Sequence, residues 1–153
     1  MRKFALVLIL ALALPAAALA RNGDKGDGTL VVKNARGQLT VNAKGSALGR
    51  VSDGSIAILD RSLDGSDDIQ VTGAEGGKAI RPDGTVVYSG TQMRFRIVGG
   101  PYFLTITGKG INVSAVGKGT TYGIPDLTEG SYSADGAVFK PFFAAFGALF
   151  GQQ

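Results

Sequence analysis

The sequence predicts an all-β fold, an antiparallel β-sandwich or small barrel of about nine or ten short strands. In the segment 92–97, apolar Met93, Phe95 and Ile97 alternate with polar residues, and a period of two is typical of a half-buried strand. Several Asp-Gly pairs separate such segments and supply the positive φ angles that tight turns require. Residues 29–123 contain no convincing helical period, which favours short strands joined by turns.

Nine segments carry this alternation clearly enough to be candidate strands. They are residues 29–33, 38–42, 46–51, 55–59, 69–72, 85–89, 92–97, 102–107 and 111–115. Asp-Gly pairs punctuate the chain at residues 27–28, 53–54, 64–65, 83–84 and 135–136. We expect tight turns at these pairs, and a hairpin turn at the Gly-Lys-Gly sequence of residues 108–110.

A weak internal repeat is visible in the same region. Residues 39–55 align without a gap on residues 104–120, so that Lys44-Gly45 matches Lys109-Gly110. Two copies do not indicate a solenoid. The alignment predicts two related halves, each containing a strand–turn–strand unit with a Lys-Gly turn.

The first 20 residues have the features of a secretory signal peptide. A basic start precedes the apolar run 4–14, and Ala18 and Ala20 form the small-x-small pattern that signal peptidase recognises. The apolar run is shorter than the roughly 20 residues that a spanning helix needs. We therefore expect an exported protein, secreted, periplasmic or extracellular, with no transmembrane span in the mature chain. Residues 21–28 would form a flexible leader.

Two residue types are missing from the chain, and their absence excludes several classes of function. Without cysteine there is no thiol catalysis or cysteine-based metal site, and without histidine there is no Ser-His-Asp triad. No phosphate-loop or other cofactor motif is complete, so no cofactor is expected. Loss of Arg2 and Lys3 would reduce the basic residues from 16 to 14, against 12 acidic residues, a balance that does not indicate nucleic-acid binding.

The end of the chain differs from the predicted β-domain of residues 29–123. Residues 124–153 begin as a loop and continue as a Phe-rich tail. The candidate partner-docking residues of this tail are Phe139, Phe142, Phe143, Phe146 and Phe150. Their spacing is helical, so a short helix is one interpretation, and such a row is more often core than interface. The alternatives are a tail that closes the core and an exposed element that docks on a partner.

An acidic segment raises the question of a cation site. It contains Asp60, Asp64, Asp67 and Asp68. Calcium prefers several oxygen ligands on a short loop, but the EF-hand spacing is absent and no glutamate closes the loop. Solvated turn residues are the favoured interpretation, and the sequence leaves cation binding open.

Together these features favour a non-catalytic binding or structural module that is secreted or associated with the cell envelope. Its partner would be a cell-envelope polymer, or a protein bound through the tail. Arg94 and Arg96 share one face of their predicted strand and could hold an anionic polymer, although two charges do not make a patch. One alternative is a carboxylate-dependent enzyme acting on glycan, which needs two neighbouring acids. Another is a protein that assembles through its tail.

Overall fold

The predicted all-β class is confirmed by the structure, a computed structural model that describes residues 28–62, 68–124, 129–142 and 146–151. These residues form an antiparallel sheet of eight strands that does not close on itself. The strands are β1(Gly28–Asp60), β2(Asp68–Thr72), β3(Gly77–Ile80), β4(Val86–Val98), β5(Pro101–Gly123), β6(Glu129–Ser133), β7(Lys140–Pro141) and β8(Phe146–Phe150). The predicted signal peptide with Ala18 and Ala20, and the leader residues 21–27, lie outside the described residues.

The candidate strands all fall on observed strands, but the observed strands are fewer and longer than predicted. β1 alone contains four of the candidate segments, while β4 and β5 each contain two. The turns predicted at Asp53-Gly54 and at residues 108–110 are therefore wrong, because the strand continues through both places. At Asp83-Gly84 the turn is present, between β3 and β4.

The length of β1 and β5 is explained by the way in which they pair twice. Residues 28–44 of β1 pair with residues 101–117 of β5, and residues 39–60 of β1 pair with residues 102–123 of β5 along the other edge. Each long strand thus changes neighbours along its length. Both strands can stay hydrogen-bonded for 33 and 23 residues without an unusually wide sheet.

This double pairing divides the sheet into two ladders of side-by-side segments. The first ladder runs β7, β6, β1(28–36), β5(111–117), β1(45–51), β4(93–98), β2. The second ladder runs β8, β5(118–123), β1(39–44), β5(101–107), β1(53–60), β4(86–91), β3. One hydrophobic core receives side chains from both ladders, which is the arrangement of a sandwich or an open barrel.

Glycine pairs mark the places where β1 and β5 pass from one ladder to the other. Gly45 lies opposite Gly117 and Gly54 opposite Gly108, and all four have φ between 141° and 150°. A β-carbon on Gly45 would overlap the carbonyl oxygen of Val116. Only glycine tolerates both this close approach and this φ.

The strand–turn–strand units predicted from the internal repeat are not present. The predicted Lys-Gly turns are wrong, because Lys44 and Lys109 both lie inside continuous strands.

The described part of the tail is strand and not the short helix that the phenylalanine spacing suggested. β8 pairs with residues 119–123 of β5 at one edge of the second ladder. Phe142 and Phe146 pack on Tyr132 of β6, with ring centroids 5.2 and 4.4 Å away. The spacing misled because aromatic residues can meet one core from separate extended segments as well as from one face of a helix.

Candidate anion-binding face

The outer surface of the first ladder carries arginine side chains that come from different strands. Arg50 of β1 lies directly opposite Arg94 of β4, and Arg96 lies opposite Leu48 one step along. These side chains point outward because they alternate with the buried residues Val51, Met93, Phe95 and Ile97. The register therefore adds Arg50 to the arginine pair that the sequence had already indicated. We call this surface the arginine face.

Arg50 and Arg94 have no acidic partner among the described residues, although the exposed Asp68 lies opposite Val98 at the β2 edge of this face. The ion pairs among the described residues join Arg36 to Glu129 at 3.5 Å and Lys109 to Asp53 at 3.2 Å. Within the same described ranges, Arg50 and Arg94 have neither an ion pair nor a side-chain hydrogen bond. Like charges directly across a strand pair are destabilising. An anion bound between the two guanidinium groups would remove that repulsion.

A groove crosses the arginine face along β5. Its floor is formed by the short side chains of Asn112 and Ser114, and its volume is about 490 Å³. The walls are Val31 and Lys33 on one side and Leu48, Arg50 and Arg94 on the other. The groove is an open depression on the surface of the sheet.

The floor of the groove is held rigidly by Asn112. Its Oδ1 accepts a hydrogen bond from the backbone N–H of Asn34 at 3.1 Å, and its Nδ2 donates to the carbonyl oxygen of Gly110 at 3.0 Å. The first of these bonds crosses from β1 to β5 at an irregularity in their register, between Val32 and Ala35. Both polar atoms of the Asn112 side chain are therefore bonded to the backbone. The charged side chains on the walls of the groove are the ones that remain for contact with a ligand.

One wall of the groove is supported by the tail. The Nζ atom of Lys33 lies 4.0 Å from the ring centroid of Phe139, within the range of a cation–π interaction. Phe139 was predicted as a docking residue, and in the structure it positions a cation at the mouth of the groove. Lys33 and Arg50 were not singled out from sequence, because the register that aligns them is a long-range property.

The other predicted docking residues divide between core and partial exposure. Phe142 and Phe150 are buried, and Phe146 is half-buried against Tyr132. Phe143 lies outside the described residues. This placement supports the interpretation that most of the aromatic side chains close the core.

The aspartates of the predicted cation segment are only partly described. Asp60 accepts hydrogen bonds from the backbone N–H and the hydroxyl of Ser62, and Asp68 accepts from the side-chain amide of Gln70. Asp64 and Asp67 lie outside the described residues. Within the part of the chain that is described, no three acidic side chains are grouped as a metal site would need.

Carboxylates with a perturbed pKa stabilise turns in this fold. The backbone N–H groups of Val138 and Ala137, and the Ser133 hydroxyl, lower the pKa of Asp135 to about 2. The backbone N–H of Thr85 likewise lowers the pKa of Asp83. The main surface depressions of the described residues are each lined by at most one carboxylate. This geometry gives no support to the two-acid chemistry of a glycan-cleaving enzyme.

Comparison with protein-family models, with curated proteins and with solved structures finds no significant match to this chain. The arginine face is therefore interpreted from its own geometry. Within residues 28–62, 68–124, 129–142 and 146–151, no helix is long and apolar enough to cross a membrane.

Proposed function

We propose that this protein is an exported, non-catalytic binding module, secreted or associated with the cell envelope, that holds an anionic envelope component on its arginine face. The observation that carries the proposal is the cross-strand pair Arg50–Arg94, which has no acidic partner among the described residues. Guanidinium groups bind carboxylate and phosphate through paired, charge-assisted hydrogen bonds. An anion between them converts an unfavourable contact into two favourable ones.

The test is co-sedimentation of the mature chain, residues 21–153, with isolated cell envelopes. The variant Arg50→Gln/Arg94→Gln removes two charges from the arginine face. The control Arg81→Gln/Lys118→Gln removes two exposed charges elsewhere. We expect about 10-fold weaker binding for the first variant only, and weaker binding of the wild type at high salt, because salt screens exposed charges. Equal binding by both variants would rule out the arginine face.

Assembly through the tail is a second candidate function, and a separate observation favours it. β8 is an edge strand without a charged residue or proline, and its Leu149 is largely exposed. Edge strands of this kind readily pair with another chain. The test is light scattering of the wild type, of Leu149→Lys and of the control Ile80→Lys on the edge strand β3. Assembly that only Leu149→Lys abolishes supports this function, and a wild type that stays monomeric at high concentration excludes it.

A further inference from the structure

The arginine face also carries exposed aliphatic side chains, and these restrict the chemical class of ligand that the face would bind. Leu48 is 59 % exposed and Val116 is 52 % exposed, and Val98 is also exposed. All three lie on the same outer surface as the arginines. Exposed aliphatic side chains are ordinary when scattered, but a group of them beside a basic row indicates an interaction surface.

The strand register places the basic side chains and the aliphatic side chains in two neighbouring zones of this face. Arg50 and Arg94 form one cross-strand row with Asn112. Leu48 is two residues from Arg50 along β1, which is about 7 Å, and lies across Ser114 from Val31. A ligand that satisfies both zones must carry an anionic group and an apolar part a few ångströms apart.

We infer that the arginine face docks on the surface of an anionic lipid membrane, with a lipid phosphate between Arg50 and Arg94 and with Leu48 and Val116 against the acyl boundary. This inference rests on the proposed function and names its ligand. Charge complementarity carries the phosphate contact, because the basic row has no acidic partner among the described residues. Peripheral membrane binding strengthens with apolar area buried and with attraction to anionic lipids, and this face offers both.

A fully polar polyanion would contact only the basic zone of the arginine face. It would neutralise the arginines and Lys33 but leave Leu48 and Val116 in water. The groove between these zones has about 490 Å³ of space above Asn112 and Ser114. A phosphate with its attached acyl-glycerol part can reach from the basic end to the aliphatic end of this groove.

The experiment is vesicle flotation of the mature chain, with soluble polyphosphate binding measured in parallel. One set of vesicles contains phosphatidylglycerol with phosphatidylcholine, and the other contains phosphatidylcholine alone. The aliphatic variant is Leu48→Thr/Val116→Thr, in which threonine retains strand propensity. The control is Ile80→Thr, at a site that is 70 % exposed in the second ladder. The basic variant is again Arg50→Gln/Arg94→Gln, and a matching thermal unfolding curve establishes that each variant is folded.

We expect the wild type to float only with the anionic vesicles. The aliphatic variant should bind these vesicles about 10-fold more weakly and bind polyphosphate unchanged, whereas the basic variant should lose both. Wild-type vesicle binding by the aliphatic variant, or wild-type binding to polyphosphate alone, overturns the lipid inference and leaves the proposed function standing. Failure of the wild type to bind either anion or isolated envelopes overturns both.

Discussion

The two ladders share β1, β4 and β5, yet Arg61 on one and Arg50 and Arg94 on the other differ in the partners that they have. On the second ladder, Arg61 donates a hydrogen bond to Oδ1 of Asn42 at 3.2 Å and lies 5.6 Å from the Phe103 ring centroid. On the first ladder, Arg50 and Arg94 lie side by side without a partner in the described residues. The second ladder also places two exposed lysines opposite each other, Lys44 and Lys118. Arg50 and Arg94 differ from that pair because their planar guanidinium groups suit paired hydrogen bonds to phosphate or carboxylate and because they line a groove.

The largest effect is expected where the ladders join. Gly45→Ala places a β-carbon against the carbonyl of Val116 at a φ of 141°, which L-residues rarely adopt. We expect the free energy of unfolding to fall by about 3 kcal/mol or more, measured by urea denaturation. The control is Gly147→Ala in β8, where an added β-carbon meets no atom within 4 Å. Similar stability of the two variants would contradict the role given to the glycine pairs.

A smaller effect is expected in the core that both ladders enclose. The hydroxyl of Tyr102 is buried without a hydrogen-bond partner among the described residues, and burial raises the pKa of Tyr102 above its usual value. Tyr102→Phe should therefore raise the free energy of unfolding by about 1 kcal/mol at pH 7.

The pH dependence of stability provides a second measurement on Tyr102. Burial makes the pKa of Tyr102 higher in the folded state than in the unfolded state, where it is about 10. The stability that comes from the protonated hydroxyl is therefore present below pH 10 and is lost as pH rises above it. Thermal unfolding above that pH should show a loss of stability in the wild type that is smaller in Tyr102→Phe. Identical curves would mean that the hydroxyl is satisfied in solution.

Single arginine substitutions compare how much an arginine of each ladder contributes to stability. Arg61→Ala removes the hydrogen bond to Asn42 and the stacking on Phe103, so we expect a loss of about 0.5 kcal/mol. Arg50→Ala relieves the repulsion with Arg94 and should gain a few tenths of a kcal/mol. Chemical denaturation measures both. Equal losses would show that Arg50 is as well satisfied as Arg61.

The smallest effect lies in the tail, at the exposed Asp135. Its pKa of about 2 is below the ordinary value of 3.8, because three hydrogen bonds favour the carboxylate. The stabilisation is therefore present above pH 4 and is lost as pH falls towards 2. Acid unfolding curves should be shallower for Asp135→Asn than for the wild type. An unchanged acid slope would show that the turn does not depend on the charge.

The arginine face could be predicted from the sequence only in part. Arg94 and Arg96 alternate with buried residues, so their shared face was readable from a period of two. Arg50 obeys the same rule in its own strand, but nothing local indicates that β4 lies beside it. The tail was misread for a related reason, because helical spacing of aromatic residues does not reveal which strand they meet.

The sequence by itself determined the all-β class and the strand segments that lie within β1, β2, β4 and β5, but not β3, β6, β7 or β8. It could do so because alternation of polar and apolar side chains is a local property of the chain. Tertiary structure decided that glycines such as Gly54 continue a strand instead of turning it, and which segments become neighbours. Backbone hydrogen-bonding groups are the same at every residue, so register is chosen by packing of the whole core, and register in turn assembles the arginine face.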